Sequence, residues 1–208
     1  LLLDGDRVVG IQTSGGEVRS GAVIVAGGAW SSLIKTVENR VPDWHIEPIR
    51  GQMLCFDACP PLVRHVIYSP RAYLVPRRNG RLLAGSTTEQ VGFDKSVTAG
   101  GVHQIARHAL EIAPGVSDLT LTNAWTGLRP RTADGWPVLG ASVEVQGLYY
   151  ATGHYRNGIL LAPITGQLIA DLVTNGVASP LLKAFAPERF HPLSVHYDST
   201  ESARKISV

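Results

Sequence analysis

Residues 147–173 read GLYYATGHYRNGILLAPITGQLIADLV, and this stretch decides the fold. Gly147 to Thr152 is a short apolar run with β-branched and aromatic members, the pattern of a buried strand. Gly153-His154-Tyr155-Arg156-Asn157-Gly158 then turns the chain into a helix from about Ile159 to Val173. Ile159, Leu160, Leu161, Ile164, Leu168, Ile169 and Leu172 put apolar groups on nearly every side of that helix, which predicts a central and not a superficial position. Proline is tolerated in the first turns of a helix, where its missing N–H costs least. Pro163 therefore puts the helix start near itself, and Asn175-Gly176 ends the helix.

The same order of strand, glycine turn and helix occurs near the N-terminus. Ala22-Val23-Ile24-Val25-Ala26 reads as a buried strand, Gly27-Gly28 as a turn, and Leu33 to Val37 follows at helical spacing. Backbone N–H groups at such a junction suit a phosphate or a ribose, although Gly-Gly after a strand is also an ordinary tight turn. Upstream, Arg7 to Thr13 and Glu17 to Ser20 flank Ser14-Gly15-Gly16 as a hairpin.

The middle of the chain changes character after Pro42 and Pro48. Ile49 to Phe56, Val63 to Ser69, Ala72 to Pro76 and Arg81 to Ser86 are candidate strands, and Asn79-Gly80 predicts a type I′ hairpin turn. A helix is predicted from Ser96 or Thr98 to about Ile112, with Val102, Ile105, Ala106, Ala109, Leu110 and Ile112 mostly on one stripe and Pro114-Gly115 as its stop. His103 and His108 are five apart, so they share no face and are expected to be solvated. Leu119 to Arg131 reads as a long strand, and Asp134-Gly135-Trp136-Pro137 as a turn. The chain is thus of mixed α/β class, with a tail over 188–208 expected to be loosely ordered.

Composition excludes several function classes. With 19 Lys+Arg against 17 Asp+Glu, the formal charge is +2, and no basic block is present to neutralise a run of phosphates. An apolar fraction of 44% argues equally against disorder. No apolar stretch reaches the length of a membrane span, and no basic segment with an apolar run and a small-residue cleavage site opens the chain, so a cytoplasmic protein with no membrane partner is expected. Cys55 and Cys59, read as lying along one strand, would be roughly 13 Å apart, too far for a disulfide. Free buried thiols are the expectation, and nothing near them repeats the spacing of a metal site.

Two arginines carry the chemistry. Arg129 sits between Leu128 and Pro130 in an apolar strand, where a guanidinium is costly to bury unless it meets an anion. That anion is either a protein carboxylate such as Asp134 or the carboxylate of a ligand, held bidentately. Arg156 poses the same question just ahead of a helix N-terminus, a position that attracts anionic or electron-rich groups.

Four segments together carry a family resemblance. Val23–Ser32 (VIVAGGAWSS), Tyr73–Thr87 (YLVPRRNGRLLAGST), Trp125–Gly140 (WTGLRPRTADGWPVLG) and Tyr149–Gly166 (YYATGHYRNGILLAPITG) resemble the C-terminal two-thirds of the glycine oxidases. These belong to the D-amino-acid-oxidase-like family of FAD-dependent amine oxidoreductases and serve thiamine biosynthesis. The match spans nearly all of residues 7 to 187, and GLRP and GHYRNGILLAP are its specific parts.

The resemblance implies a Rossmann-like FAD domain, partial in this chain, at 1–46 and 126–187. An antiparallel substrate-binding sheet domain with a helix would occupy 47–125. It further implies that Arg129 binds an amino-acid carboxylate, that Tyr73 donates a hydrogen bond to it, and that Arg156 reaches the substrate through its carbonyl and side chain. His154, Tyr155, Arg156, Asn157, Gly158, Ile159 and Leu160 would wrap the flavin. Tyr155 stands where the family often has Phe.

The implied reaction is oxidative deamination of glycine or another small amino acid, with oxygen as acceptor, no metal, and a homotetramer as the assembly. A D-amino-acid dehydrogenase or a sarcosine-type oxidase is the alternative within the family. A catalytically silent binding module is the alternative outside it. The family's G-x-G-x-x-G fingerprint is met by none of the 22 glycines. Together with the absence of an initiating Met, this leads to the expectation of a fragment that does not hold FAD tightly alone.

Overall fold

A computed structural model of the chain describes residues 1–35 and 45–190. Thr36, Val37 and Pro42 lie outside the described residues, as does the tail from His191 onward. Strands β1 (Leu2–Asp4), β2 (Arg7–Thr13) and β3 (Gly16–Arg19) form an antiparallel meander at the hairpin the sequence marks. β4 (Val23–Val25) follows, but it is not the buried strand expected. It lies at the edge of a three-stranded sheet, and Ile24 is 46% exposed. The next residues also differ from expectation, because Gly28–Leu33 form a 3-10 helix and the chain is already extended at Ile34.

The largest sheet has five strands. These are β5 (Glu47–Asp57), β6 (Ile67–Tyr68), β7 (Tyr73–Pro76), β8 (Arg81–Gly85) and, beyond the first helix, β9 (Thr120–Arg131), in the order β6-β7-β8-β5-β9 and antiparallel throughout. The strand expected over Val63–Ser69 shrinks to two residues, since Ser69 folds into a turn by accepting from the Ala72 N–H at 3.1 Å. The β7–β8 hairpin lies where Asn79-Gly80 puts it, with a different turn. Only Gly80 takes a positive φ, of 77°, and the Gly80 N–H donates to the Arg77 carbonyl at 3.2 Å. That is a three-residue loop closed by a glycine bulge in place of type I′.

Helix α1 (Ala99–Ile112) covers one face of this sheet. Thr98 caps it, its hydroxyl accepting from the Gly101 N–H at 3.1 Å. Ile105 and Ala109 meet Leu54, Phe56, Leu74 and Leu82 of the sheet in the main core. The free cysteines split: Cys55 is buried in β5, whereas Cys59 lies beyond the strand end and is exposed.

The buried amide of Gln52 ties strand to helix. Its Oε1 accepts from the Thr98 N–H at 2.9 Å, and its Nε2 donates to Thr98 Oγ1 at 3.0 Å and to Glu89 at 2.9 Å. Gln52→Leu removes all three bonds and leaves the half-buried Thr98 N–H without its acceptor. A loss of about 3 kcal/mol of unfolding free energy is expected in urea titrations, against about 1 kcal/mol for an ordinary buried swap.

A second, smaller sheet runs β10 (Val138–Ala141), β11 (Leu148–Thr152), β4, with β11 parallel to β4. Helix α2 (Gly158–Asn175) follows β11 and ends at Gly176 in the left-handed conformation, as the sequence implies. Its start is five residues before Pro163, so the proline lies inside the helix. Its position is superficial and not central: Leu168, Ile169 and Leu172 pack with Leu139 and Leu182, while Ile159 is 97% and Leu160 78% exposed. Apolar composition reports what a helix is able to bury, not what covers it. At 18 residues, α2 is also long and apolar enough by length and composition to cross a membrane, which corrects the reading that no segment reaches that length.

Candidate active site

Arg129 lies on β9 opposite Ile49 of β5, at the end of the five-stranded sheet. Its guanidinium folds back over Gly51, where an added Cβ would come within 2.3 Å of it. Two acceptors hold it there: the Thr87 carbonyl, 3.1 Å from Nη1, and Ser86 Oγ, 2.8 Å from Nη2. Both are neutral. No carboxylate among the described residues pairs with Arg129. Asp134 instead pairs with Arg189 at 2.7 Å, which removes the protein-carboxylate alternative. Of the five N–H donors of a guanidinium, two are used and no acceptor among the described residues takes the others, although Arg129 is not itself among the residues lining the pocket beside Ser86.

Ser86 links Arg129 to the other two substrate candidates. It lines a pocket of about 280 Å³ together with Tyr73, Arg156, Tyr68, Gln104 and His108. Tyr73 comes from β7, stacks on Tyr68 with ring centroids 6.3 Å apart, and donates its hydroxyl to Met53 Sδ at 3.2 Å. Arg156 comes from the turn between β11 and α2. That turn is pinned beside Arg129, because the Tyr155 N–H donates to the Pro130 carbonyl at 2.9 Å. Tyr155 has φ 50°, the one non-glycine residue with positive φ among those described. Such backbone costs about 1–2 kcal/mol and concentrates at functional sites.

His108 is buried against this pocket and not solvated as expected. Its Nε2 is 3.2 Å from the Arg107 guanidinium. Since arginine is only a donor, that nitrogen is the acceptor in this contact.

A sequence model of the family described as FAD dependent oxidoreductase matches residues 2–172. The chain belongs to that family. The glycine oxidase of Pseudomonas aeruginosa is 40% identical over 174 residues, covering 83% of this chain and 47% of that protein. The bifunctional protein ThiO/ThiG of Synechocystis is 36% identical over 189 residues, covering 88% of this chain and 28% of that protein. The crystal structure of glycine oxidase from Bacillus cereus superimposes with a TM-score of 0.79 at 35% identity, covering 86% of this chain and 49% of that one. The chain therefore spans about half the length of the glycine oxidases it matches.

Membership of an FAD-dependent oxidoreductase family raises the question of whether the residues present fit a flavin. The start of α2 does. Asn157 supplies no side-chain cap, so the first N–H groups of the helix lack a side-chain acceptor. An uncapped N-terminus, with its partial positive charge, suits the flavin edge that becomes electron-rich on reduction. Arg156 and Asn157 are exposed, and Gly158 is half-buried. His154 is tied inward, its Nε2 2.9 Å from Thr165 Oγ1 of α2, and burial pushes its pKa below the usual histidine range.

The site has further residues that the sequence does not single out. Arg50, 3% exposed, binds Glu89 through Nη2 at 2.5 Å and Asp94 through Nη1 at 2.6 Å. The signal was available, because Arg50 interrupts an apolar strand just as Arg129 does. Burial pushes the Glu89 pKa up, but the hydrogen bonds from Thr87, Arg50 and Gln52 outweigh it and hold the carboxyl below its usual value.

A depressed folded pKa stabilises the fold above the ordinary glutamate value of about 4.3, and that contribution is lost as pH falls through the depressed value. Unfolding midpoints between pH 6 and the acid limit are therefore expected to fall less steeply for Glu89→Gln than for the natural protein.

Proposed function

We propose that the full-length protein carries out FAD-dependent oxidative deamination of glycine or another small amino acid, giving a 2-oxo acid, ammonia and hydrogen peroxide, in the service of thiamine biosynthesis. The observation that carries this reading is Arg129, a guanidinium fixed by two neutral acceptors and facing no protein carboxylate. Its open donors suit the bidentate binding of a carboxylate. The glycine oxidase names of the relatives support the same reading.

Arg129 holds the carboxylate, and Tyr73 adds a phenolic donor on release from Met53. Arg156 closes the pocket from the β11–α2 turn. The segment His154–Leu160 and the N-terminus of α2 hold the flavin edge. Bound FAD supplies two-electron oxidation of the amine, with oxygen as the final acceptor. The chain's own contribution is orientation, since fixing the carboxylate fixes the Cα–H. No protein base is required if the amine arrives neutral.

The resemblance extends the proposal to a homotetramer in the cytoplasm, and the exposed free thiol of Cys59 is compatible with a reducing compartment. Peroxide release by the full-length protein across glycine, sarcosine, D-alanine and larger D-amino acids tests the reading. Turnover confined to the small members is expected, and absence of peroxide with all of them would overturn it.

A further inference from the structure

The ladder between β5 and β8 is regular as far as Met53 opposite Gly85. It resumes at Arg50, whose N–H and carbonyl exchange bonds of 2.9 Å with Glu89. Between these points Ser86, Thr87 and Thr88 face only Gly51 and Gln52, which is a bulge. The bulge changes which atom satisfies the strand. The Gln52 N–H, which a regular ladder would give to a main-chain carbonyl, donates to the Thr87 hydroxyl at 2.8 Å. The Thr87 carbonyl is left out of the ladder, and it accepts from Arg129.

The hydroxyl is held in that role by charge. Having accepted from Gln52, Thr87 Oγ1 donates its one proton to Glu89 Oε1 at 2.5 Å. The other carboxylate oxygen of Glu89 accepts from Arg50 Nε at 3.2 Å and Nη2 at 2.5 Å. Every polar group in the chain from Arg50 through Glu89 to Thr87 is paired, so no member turns without stranding its neighbour.

The geometry points to Arg50, Glu89 and Thr87 as positioning residues that keep the Thr87 carbonyl off the sheet and on Arg129, so that its open donors meet a substrate carboxylate in one orientation. This rests on the reading of Arg129 as the carboxylate anchor. Thr87→Val is the informative change. It keeps the shape but strands the Gln52 N–H, and the nearest relief is return of the Thr87 carbonyl to the ladder, away from Arg129. Thr87→Ser keeps the hydroxyl.

The experiment uses the full-length flavoprotein, with acetate binding read from the flavin absorbance and glycine kinetics alongside. Thr87→Val is expected to raise the acetate Kd and the glycine KM about tenfold, the scale of one lost hydrogen bond to a charged group. FAD content should hold and kcat should change little, and Thr87→Ser should restore both constants. Natural values in Thr87→Val overturn the inference. If thermal melting shows that Thr87→Val is unfolded, Glu89→Gln decides. It takes the charge from the carboxylate that holds the Thr87 hydroxyl, and unchanged acetate binding there overturns the inference equally. Arg129→Met is run in parallel: an effect there without one in Thr87→Val rejects only the positioning chain, whereas no effect in Arg129→Met rejects the anchor and the inference together.

Discussion

Replacing Arg129 by Met in the full-length enzyme is expected to cost two to three orders of magnitude in kcat/KM for glycine. Methionine keeps the length of the stem and its packing, so what is lost is the charged fork. Removing one partner of a desolvated charge pair costs about 2–5 kcal/mol, and each 1.4 kcal/mol is tenfold. The loss should fall chiefly on KM, because the carboxylate is bound both before and during the reaction. FAD content should stay at the natural level, since the residues assigned to the flavin lie on the β11–α2 turn. Steady-state kinetics on glycine, together with the flavin-to-protein absorbance ratio, check both halves of the expectation.

Gly51→Ala should reproduce much of that loss without removing any charge. A methyl group on Gly51 would come within 2.3 to 2.4 Å of three guanidinium atoms of Arg129. Strand β5 is held on both sides by β8 and β9 and does not give way. The guanidinium is the far end of a flexible side chain, and it is the part that moves. The expected result is loss of the bonds to Thr87 and Ser86, with glycine KM raised at least tenfold by the scale of a lost hydrogen bond and the thermal midpoint nearly unchanged. A lowered midpoint with an unaltered KM would show instead that the strand yields and Arg129 stays. Comparison with Arg129→Met separates placement of the charge from its presence.

The parts of the fold legible in sequence are those decided by neighbours along the chain. Of the two starts the sequence offers, Ser96 and Thr98, the structure takes Thr98 as the cap, and the stripe of Ile105 and Ala109 carries α1 to the expected end at Ile112, because capping and helical periodicity are local. Asn79-Gly80 locates the hairpin, but the turn type depends on a three-residue loop closed by Gly80, which the dipeptide alone does not specify. What a residue faces was less legible. α2 is apolar all round and reads as central, yet Ile159 and Leu160 are exposed in a chain that spans about half the length of its relatives. His108 reads as solvated from its spacing to His103, and the pocket wall buries it.

The site follows the same rule. Arg129 is conspicuous because a charge in an apolar strand demands an anion, and Arg156 because it precedes a helix. Tyr73 and the turn assigned to the flavin came from the family resemblance and not from any local rule. Thr87, Glu89 and Gln52 were invisible for a different reason. Their importance comes from a bulge that trades a main-chain acceptor for a hydroxyl, and no spacing pattern encodes that exchange.

The central claim is that Arg129 exists to hold the carboxylate of the substrate, and a double-mutant cycle between enzyme and substrate tests it most directly. Oxidation of glycine and of methylamine, which lacks the carboxylate, is measured in the natural full-length flavoprotein and in Arg129→Met. If Arg129 is the anchor, Arg129→Met lowers kcat/KM for glycine by about two to three orders of magnitude and leaves the poor turnover of methylamine nearly unchanged. An equal fractional loss on both substrates would contradict it, because the guanidinium would then be acting on something other than the carboxylate.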